Sequence, residues 1–216
     1  MLIIGAKGFA KEVLEILYQL NDIENIAFYD DVSTDLPSKL FDIFHIIRNN
    51  NEAKKYLSTI DNRFTIGIGS PILRKIICDK FENIGGVLTS SISNKANIGH
   101  FGNQIGLGCN IMTGVVITNN VKIGKGVLIN LNCTIGHDTN IGDFVEISPG
   151  SHLSGNAKVG NYCNIGTNAT ILPNVNIGKN VIVGAGSVVN KDVQDNCLVV
   201  GIPAVIKKQL NPLNFE

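Results

Sequence analysis

The chain of 216 residues predicts an α/β unit of βαβ (Rossmann-like) type followed by a parallel β-helix. Three observations carry this. Every sixth residue from Ile105 to Val189 is Ile, Leu or Val, without a miss. Gly106, Gly124, Gly142, Gly160 and Gly178 recur every eighteen residues on top of that period. The chain opens with the apolar run Leu2-Ile3-Ile4, the turn Gly5-Ala6-Lys7-Gly8, and then Phe9 to Tyr18 with helical spacing of apolar residues. A period of six inside a superperiod of eighteen describes a triangular coil of three short strands, the signature of a parallel β-helix. Strand, glycine turn and helix begin a βαβ unit with a parallel sheet.

The elements follow in order. Residues 2–4 form a strand and 9–18 an amphipathic helix. Asn25-Ile26-Ala27-Phe28-Tyr29 is a second strand, ending in Asp30-Asp31. The polar segment 33–63 holds a short strand around 43–47 and a helix around 50–58. A third strand spans 64–69, and Pro71 to Phe81 forms a helix. The β-helix spans about 88–200, entered through 86–103. Ile92 and Ile98 are six apart but Ile98 and Ile105 are seven, so one extra residue sits near His100-Phe101-Gly102. The domains are then 1–85, 86–206 and a basic tail over 207–216 containing Lys207 and Lys208.

Composition excludes several classes. Lys+Arg and Asp+Glu are both 18, so no global charge attracts nucleic acid or an anionic membrane. Met1 to Ile4 is too short for a signal peptide, and no stretch nears the roughly 18 apolar residues of a membrane helix. A soluble cytoplasmic protein is expected. The five cysteines form no CxxC pair, and Cys109, Cys133 and Cys163 fall on the small interior position of the repeat. Most of the 23 glycines sit at fixed repeat positions and serve turns. A single coil cannot bury its apolar faces, so coils stack into a prism. With no insertion to wall a site within one copy, three prisms packed around a threefold axis are expected.

The hexapeptide array, the ending Gly201-Ile202-Pro203-Ala204 and the segment from Ile135 to Asp143 resemble the left-handed β-helix acyltransferases. With Gly5 to Lys11 and Tyr29-Asp30-Asp31 in front, roughly residues 1–206 resemble one subgroup. That subgroup is the sugar N-acetyltransferases acting on nucleotide-linked 4-amino-4,6-dideoxy sugars, as in bacillosamine, perosamine and viosamine pathways. Sialic acid O-acetyltransferases share the two-domain plan. The resemblance implies acetyl-CoA as cosubstrate, a nucleotide sugar as acceptor and no metal.

Acetyl transfer from a thioester needs a base, a stabilised oxyanion and aligned substrates. His137 is the base: a histidine titrates near pH ~6.5, and two residues after Ile135 it lies at or past a corner. Asp138 beside it holds the imidazole tautomer, a pairing that the resemblance supports. The resemblance places a backbone N–H of the next coil at the thioester oxygen, which is Gly155, eighteen residues on. It places Asn130 near the acceptor amine, and Gly155, Gly166-Thr167 and Gly184-Ala185 along coenzyme A. Lys207 and Lys208 either meet its phosphates or form a solvated basic tail. Some members carry a second histidine nine residues after the base. This chain has Glu146 there, which would contact the sugar or its ammonium; His152 lies near the same edge. Gly5, Ala6, Lys7, Gly8 and Phe9 bring a helix N-terminus to a phosphate, although the full GxGxxG is missing. Asp30 and Asp31 close the second strand where ribose or base contacts occur.

Three other readings stand beside this one: O-acetylation of a sugar hydroxyl, a non-catalytic β-helix scaffold, and a zinc β-helix enzyme. The zinc case needs three converging histidines, and His45, His100, His137 and His152 lack the close pair on one coil.

Overall fold

The structure, a computed structural model, describes residues 1–215. The first unit is a six-stranded sheet. Its strands are β1 (Leu2–Ile4), β2 (Ala27–Tyr29), β3 (Lys39–Leu40), β4 (Phe44–Ile47), β5 (Arg63–Ile66) and β6 (Val87–Leu88), in the order β3-β4-β2-β1-β5-β6. All pairs are parallel except β3 with β4. Alternation along β1 assigns the two layers. Ile3 joins Ala10, Val13 and Leu17 of helix α1 (Gly8–Gln19). Leu2 and Ile4 join Tyr56, Leu57 and Phe81 of α2 (Asn50–Thr59) and α3 (Pro71–Asn83).

The helices start where local chemistry allows. Asn49 caps α2 by accepting the Glu52 N–H at 2.9 Å. Pro71 opens α3, where a missing N–H costs nothing. The expected third strand over 64–69 is shorter, ending at Ile66. A Cβ on Gly67 would lie 2.6 Å from Ala10, so the chain leaves the sheet there beneath α1. The edge strand β3 and the pairing of β6, past the expected boundary at 85, emerge only from the structure.

From Ser91 the chain winds into two-residue strands that pair parallel, each with the strand eighteen residues later over most of their length. Three ladders result. The first face carries Asn110, Leu128, Glu146 and Asn164 outward; the second carries Val116, Thr134, His152 and Thr170; the third carries Lys122, Asn140, Lys158 and Asn176. The hexad aliphatics point inward, with Ile111, Ile129, Ile147 and Ile165 fully buried alongside Cys109, Cys133 and Cys163. The corners are left-handed: Asn120, Asp138, Asn156 and Asn174 share φ of 59, 61, 60 and 63° at one edge. Asn and Asp tolerate this conformation best. The extra residue near Phe101 is stitched in by Asn103, whose Nδ2 donates to the Gly99 and Thr118 carbonyls at 2.8 and 2.7 Å.

The α/β unit lies on the first face. Asn110 Nδ2 donates to the Ile66 carbonyl at 2.9 Å, and Ile16 packs with Met112 and Leu128. Arg74 of α3, 2% exposed, donates to the carbonyls of Gly69 at 3.3 Å, Val145 at 3.0 Å and Gly126. The expected basic tail is in part a strand: Ala204–Gln209 pairs antiparallel with Cys197–Gly201, and Lys207 and Lys208 are exposed on it. Beyond it Phe215 rests on Tyr162, ring centroids 4.8 Å apart. No helix among the described residues is long and apolar enough to cross a membrane.

Candidate active site

His137 stands at the edge between the second and third faces, its side chain 66% exposed. Its Nδ1 lies 2.7 Å from Asp138 Oδ2. Hydrogen bonds from His137 and from Asn120 Nδ2 one coil below hold the Asp138 carboxyl under the usual carboxylate range. An ionised carboxylate only accepts, so the proton of a neutral imidazole sits on Nδ1 and Nε2 keeps its lone pair. The left-handed corner at Asp138 aims its side chain at both partners.

Gly155 lies one coil up, under the ring. A Cβ there would fall 2.6 Å from His137 Nε2, so any side chain would displace the imidazole. The coils are equally close below: a Cβ on Gly136 would fall 2.6 Å from the Gly155 nitrogen. Asn156 N–H donates to the His137 carbonyl at 2.9 Å, fixing the two coils. Among the described residues no acceptor takes the Gly155 N–H. A basic nitrogen and a free donor thus share one small patch.

The other predicted residues of the β-helix are elsewhere. Asn130, Gly166-Thr167 and Gly184-Ala185 follow strands of the first face and stack on the edge between the first and second faces. Asn130 Oδ1 accepts the Leu131 N–H at 2.7 Å. Within one chain the whole second face separates this edge from His137. His152 projects from that face, its Nδ1 2.8 Å from Thr134 Oγ1. Glu146 is on the first face, opposite the His137 edge, against the α/β unit.

The second candidate site lies at the carboxyl ends of β1, β2 and β5, where open parallel sheets bind ligands. A cavity of about 330 Å³ opens there, lined by Gly5, Ala6, Lys7, Asp30 and Asp31 together with Tyr29, Lys80 and Phe81. Gly5 at φ 100° makes the turn that β1 needs, and its N–H donates to the Tyr29 carbonyl at 2.7 Å. The first turn of α1 has no side-chain cap. Its open N–H groups give the anion-binding end of a helix. A Cβ on Gly8 would meet nothing within 4 Å, while Phe9 turns away to pack beside Ile16.

The two acidic residues differ. Asp30 folds on its own loop, accepting from Ser33 N–H at 2.8 Å and Oγ at 3.1 Å. Asp31 accepts from Tyr29 Oη at 2.7 Å and Lys80 Nζ at 3.1 Å. Burial pushes the Asp31 carboxyl up, but these donors outweigh it and leave it below the ordinary value. Burial also raises the Tyr29 phenol. Sequence reasoning missed Tyr29 and Lys80. Tyr29 entered only as the end of a strand and as part of the resembling segment Tyr29-Asp30-Asp31, and Lys80 only as a residue of the helix over 71–81.

A histidine beside a backbone N–H that no acceptor takes, on the edge of a hexapeptide β-helix, points to a class: the hexapeptide-repeat acyltransferases. Residues 1–81 match the PglD N-terminal domain, and 138–172 and 156–191 match the bacterial transferase hexapeptide repeat. A histidine mutant of perosamine N-acetyltransferase from Caulobacter crescentus, in complex with CoA and GDP-perosamine, is 30% identical with a TM-score of 0.89, covering 96% of each chain. The acetyltransferase domain of PglB from Neisseria gonorrhoeae FA1090, in complex with acetyl coenzyme A, is 30% identical with a TM-score of 0.84. That match covers 95% of this chain and 97% of the other. WeeI from Acinetobacter baumannii AYE is also 30% identical, with a TM-score of 0.85, covering 95% and 98%. No curated protein sequence matches. The chain belongs to the left-handed β-helix sugar N-acetyltransferases.

Proposed function

We propose that this chain is a cytoplasmic homotrimer that transfers the acetyl group of acetyl-CoA to the 4-amino group of a nucleotide-linked 4-amino-4,6-dideoxy sugar. The observation that carries the reading is the His137 imidazole, tied to Asp138 at Nδ1 and with Nε2 against Gly155, whose N–H has no acceptor among the described residues. His137 Nε2 takes a proton from the amine as nitrogen attacks the thioester carbon. The carbonyl electron pair moves onto oxygen, where the Gly155 N–H donates. When the C–S bond breaks, the imidazolium returns its proton to the departing sulfur. Asp138 keeps the ring oriented and stabilises its charge.

Residues 1–85 take the nucleotide sugar, with diphosphate at the Gly5–Gly8 turn and nucleoside against Asp30 and Asp31. Residues 86–206 take the acyl donor, along Gly166, Thr167, Gly184 and Ala185, with Lys207 of the 207–216 tail at its phosphates. The assembly is supported by the distribution of these groups. One chain puts His137, the Asn130–Gly184 edge and the nucleotide crevice on three different sides of the prism. Rotation about a threefold axis brings one copy's His137 to a neighbour's crevice and leaves coenzyme A between adjacent edges.

The test is thiol release from acetyl-CoA with UDP-, TDP- and GDP-linked 4-amino-4,6-dideoxy sugars, with mass analysis of the product. One of these amino sugars is expected to yield a stable amide. Release only with hydroxyl acceptors would replace the reading by O-acetylation. A monomer by light scattering at micromolar concentration would remove the shared site.

A further inference from the structure

Glu146 is a carboxylate that makes no ion pair among the described residues. It projects from the first face toward the end of β5, where a Cβ added to Gly69 would lie 3.1 Å from its Oε1. Its Oε2 accepts from Asn164 Nδ2 at 3.0 Å, a neutral donor. Among the described residues no cation reaches it within ion-pair distance. Burial raises its pKa, and the attraction of Arg74 offsets only part of that. Arg74 directs its terminal nitrogens to the carbonyls of Gly69, Gly126 and Val145, and its buried Nε has no partner. A half-buried carboxylate whose nearest cation gives its hydrogen bonds to backbone carbonyls is under-compensated and costly. Such a cost is offset when a cation arrives from outside.

The location says which cation. Gly67 and Ile68, immediately before Gly69, line the cavity at the carboxyl ends of β1, β2 and β5. Glu146 stands just past that rim, where the part of a bound ligand distal to its nucleoside would emerge. We infer that Glu146 receives the ammonium of the acceptor sugar and so favours an amine over a hydroxyl at the acceptor position. The inference rests on the proposed function. It assigns Glu146 to the chain that holds the nucleotide; the bound ammonium releases one proton to solvent before the free amine attacks, and the proton lost in the attack goes to a neighbour's His137.

The experiment is calorimetric titration of the full-length protein with three probes. They are the UDP-, TDP- or GDP-linked 4-amino sugar that the unaltered protein acetylates, its 4-hydroxy counterpart, and the nucleoside diphosphate alone. Glu146→Gln keeps an oxygen for Asn164 and fills the same volume. It is expected to weaken the amino sugar by about tenfold or more, the lower end for a hydrogen bond to a charged group. The hydroxy sugar and the diphosphate should bind as before, and Glu146→Asp should recover part of the loss. Unchanged affinity for the amino sugar in Glu146→Gln overturns the assignment, and so does equal weakening of all three probes. An unaltered protein that acetylates no amino sugar fails the proposed function and this inference together. If it does acetylate one, the Gln variant tests Glu146 alone.

Discussion

His137 and Glu146 are nine residues apart in the same repeat, yet they meet opposite surroundings. His137 sits on a free edge, and its contacts come from its own coil and its neighbours: Asp138, Gly155 and Asn156. Glu146 sits on the covered face, half-buried beside Gly69 of the β5–α3 connection and near α3. The repeat fixes where each side chain leaves the prism. What lies across that surface fixes its chemistry. A free edge leaves an imidazole exposed and little tied to the core. A covered face couples each polar group to the docking of a second unit.

His137→Ala gives the widest separation of the two sides. The side chain is largely exposed, so the melting transition should hold to within about 0.5 kcal/mol. Loss of a general base should lower kcat by about 10²–10⁴. Denaturation and thiol-release rates on the same preparation check both. A large loss of stability would place the histidine in the framework and break the contrast.

Arg74→Ala attacks the covered side. It strips donors from the carbonyls of Gly69, Gly126 and Val145; Val145 keeps the Leu128 N–H at 2.9 Å, so the buried Gly126 carbonyl loses most. A buried acceptor left unpaired costs roughly 1–3 kcal/mol and the emptied volume adds to it, so a loss of about 2–4 kcal/mol is expected in urea unfolding. Arg74→Met should lose less, because it refills the volume without a charge. If Arg74→Ala unfolded like the unaltered protein, the domain contact would not depend on this side chain.

The difference in surroundings also explains what was legible. The β-helix, its buried cysteines and the corner position of His137 follow from a period that each coil repeats, because contacts eighteen residues apart are regular. Gly155 could be placed from the same arithmetic. The covering of the first face could not, since Asn110, Leu128 and Glu146 alternate like any outward ladder. Whether such a row meets water or another unit depends on contacts such as Asn110 to Ile66, far away in sequence. Arg74, Tyr29 and Lys80 stayed hidden for that reason. The short β3 strand also needs its partner β4 to exist, because two residues carry no periodicity.

The smallest effect sharpens how the free edge works. Asp138→Asn changes a residue whose corner suits the replacement, since Asn120, Asn156 and Asn174 occupy the same left-handed position in neighbouring coils. Folding should therefore be unaffected. The carboxylate, however, serves two donors at once, the His137 Nδ1–H and Asn120 Nδ2. An amide has one oxygen for both. When that oxygen faces Asn120, its NH₂ group faces Nδ1, favours the other tautomer and moves the proton to Nε2, where it blocks the base. When the oxygen faces His137, the base survives without the charge that steadies its imidazolium. A kcat loss of about tenfold is expected, smaller than for His137→Ala because one arrangement stays competent. The pH dependence follows from the same bond. The Asp138 carboxyl is held below its usual range, so its support is present at and above that range and is lost as pH falls through the depressed value. The Asn variant has no such group, and its acidic limb should follow the histidine alone. A loss as large as that of His137→Ala would mean that the carboxylate, and not the imidazole geometry, limits the reaction at this edge.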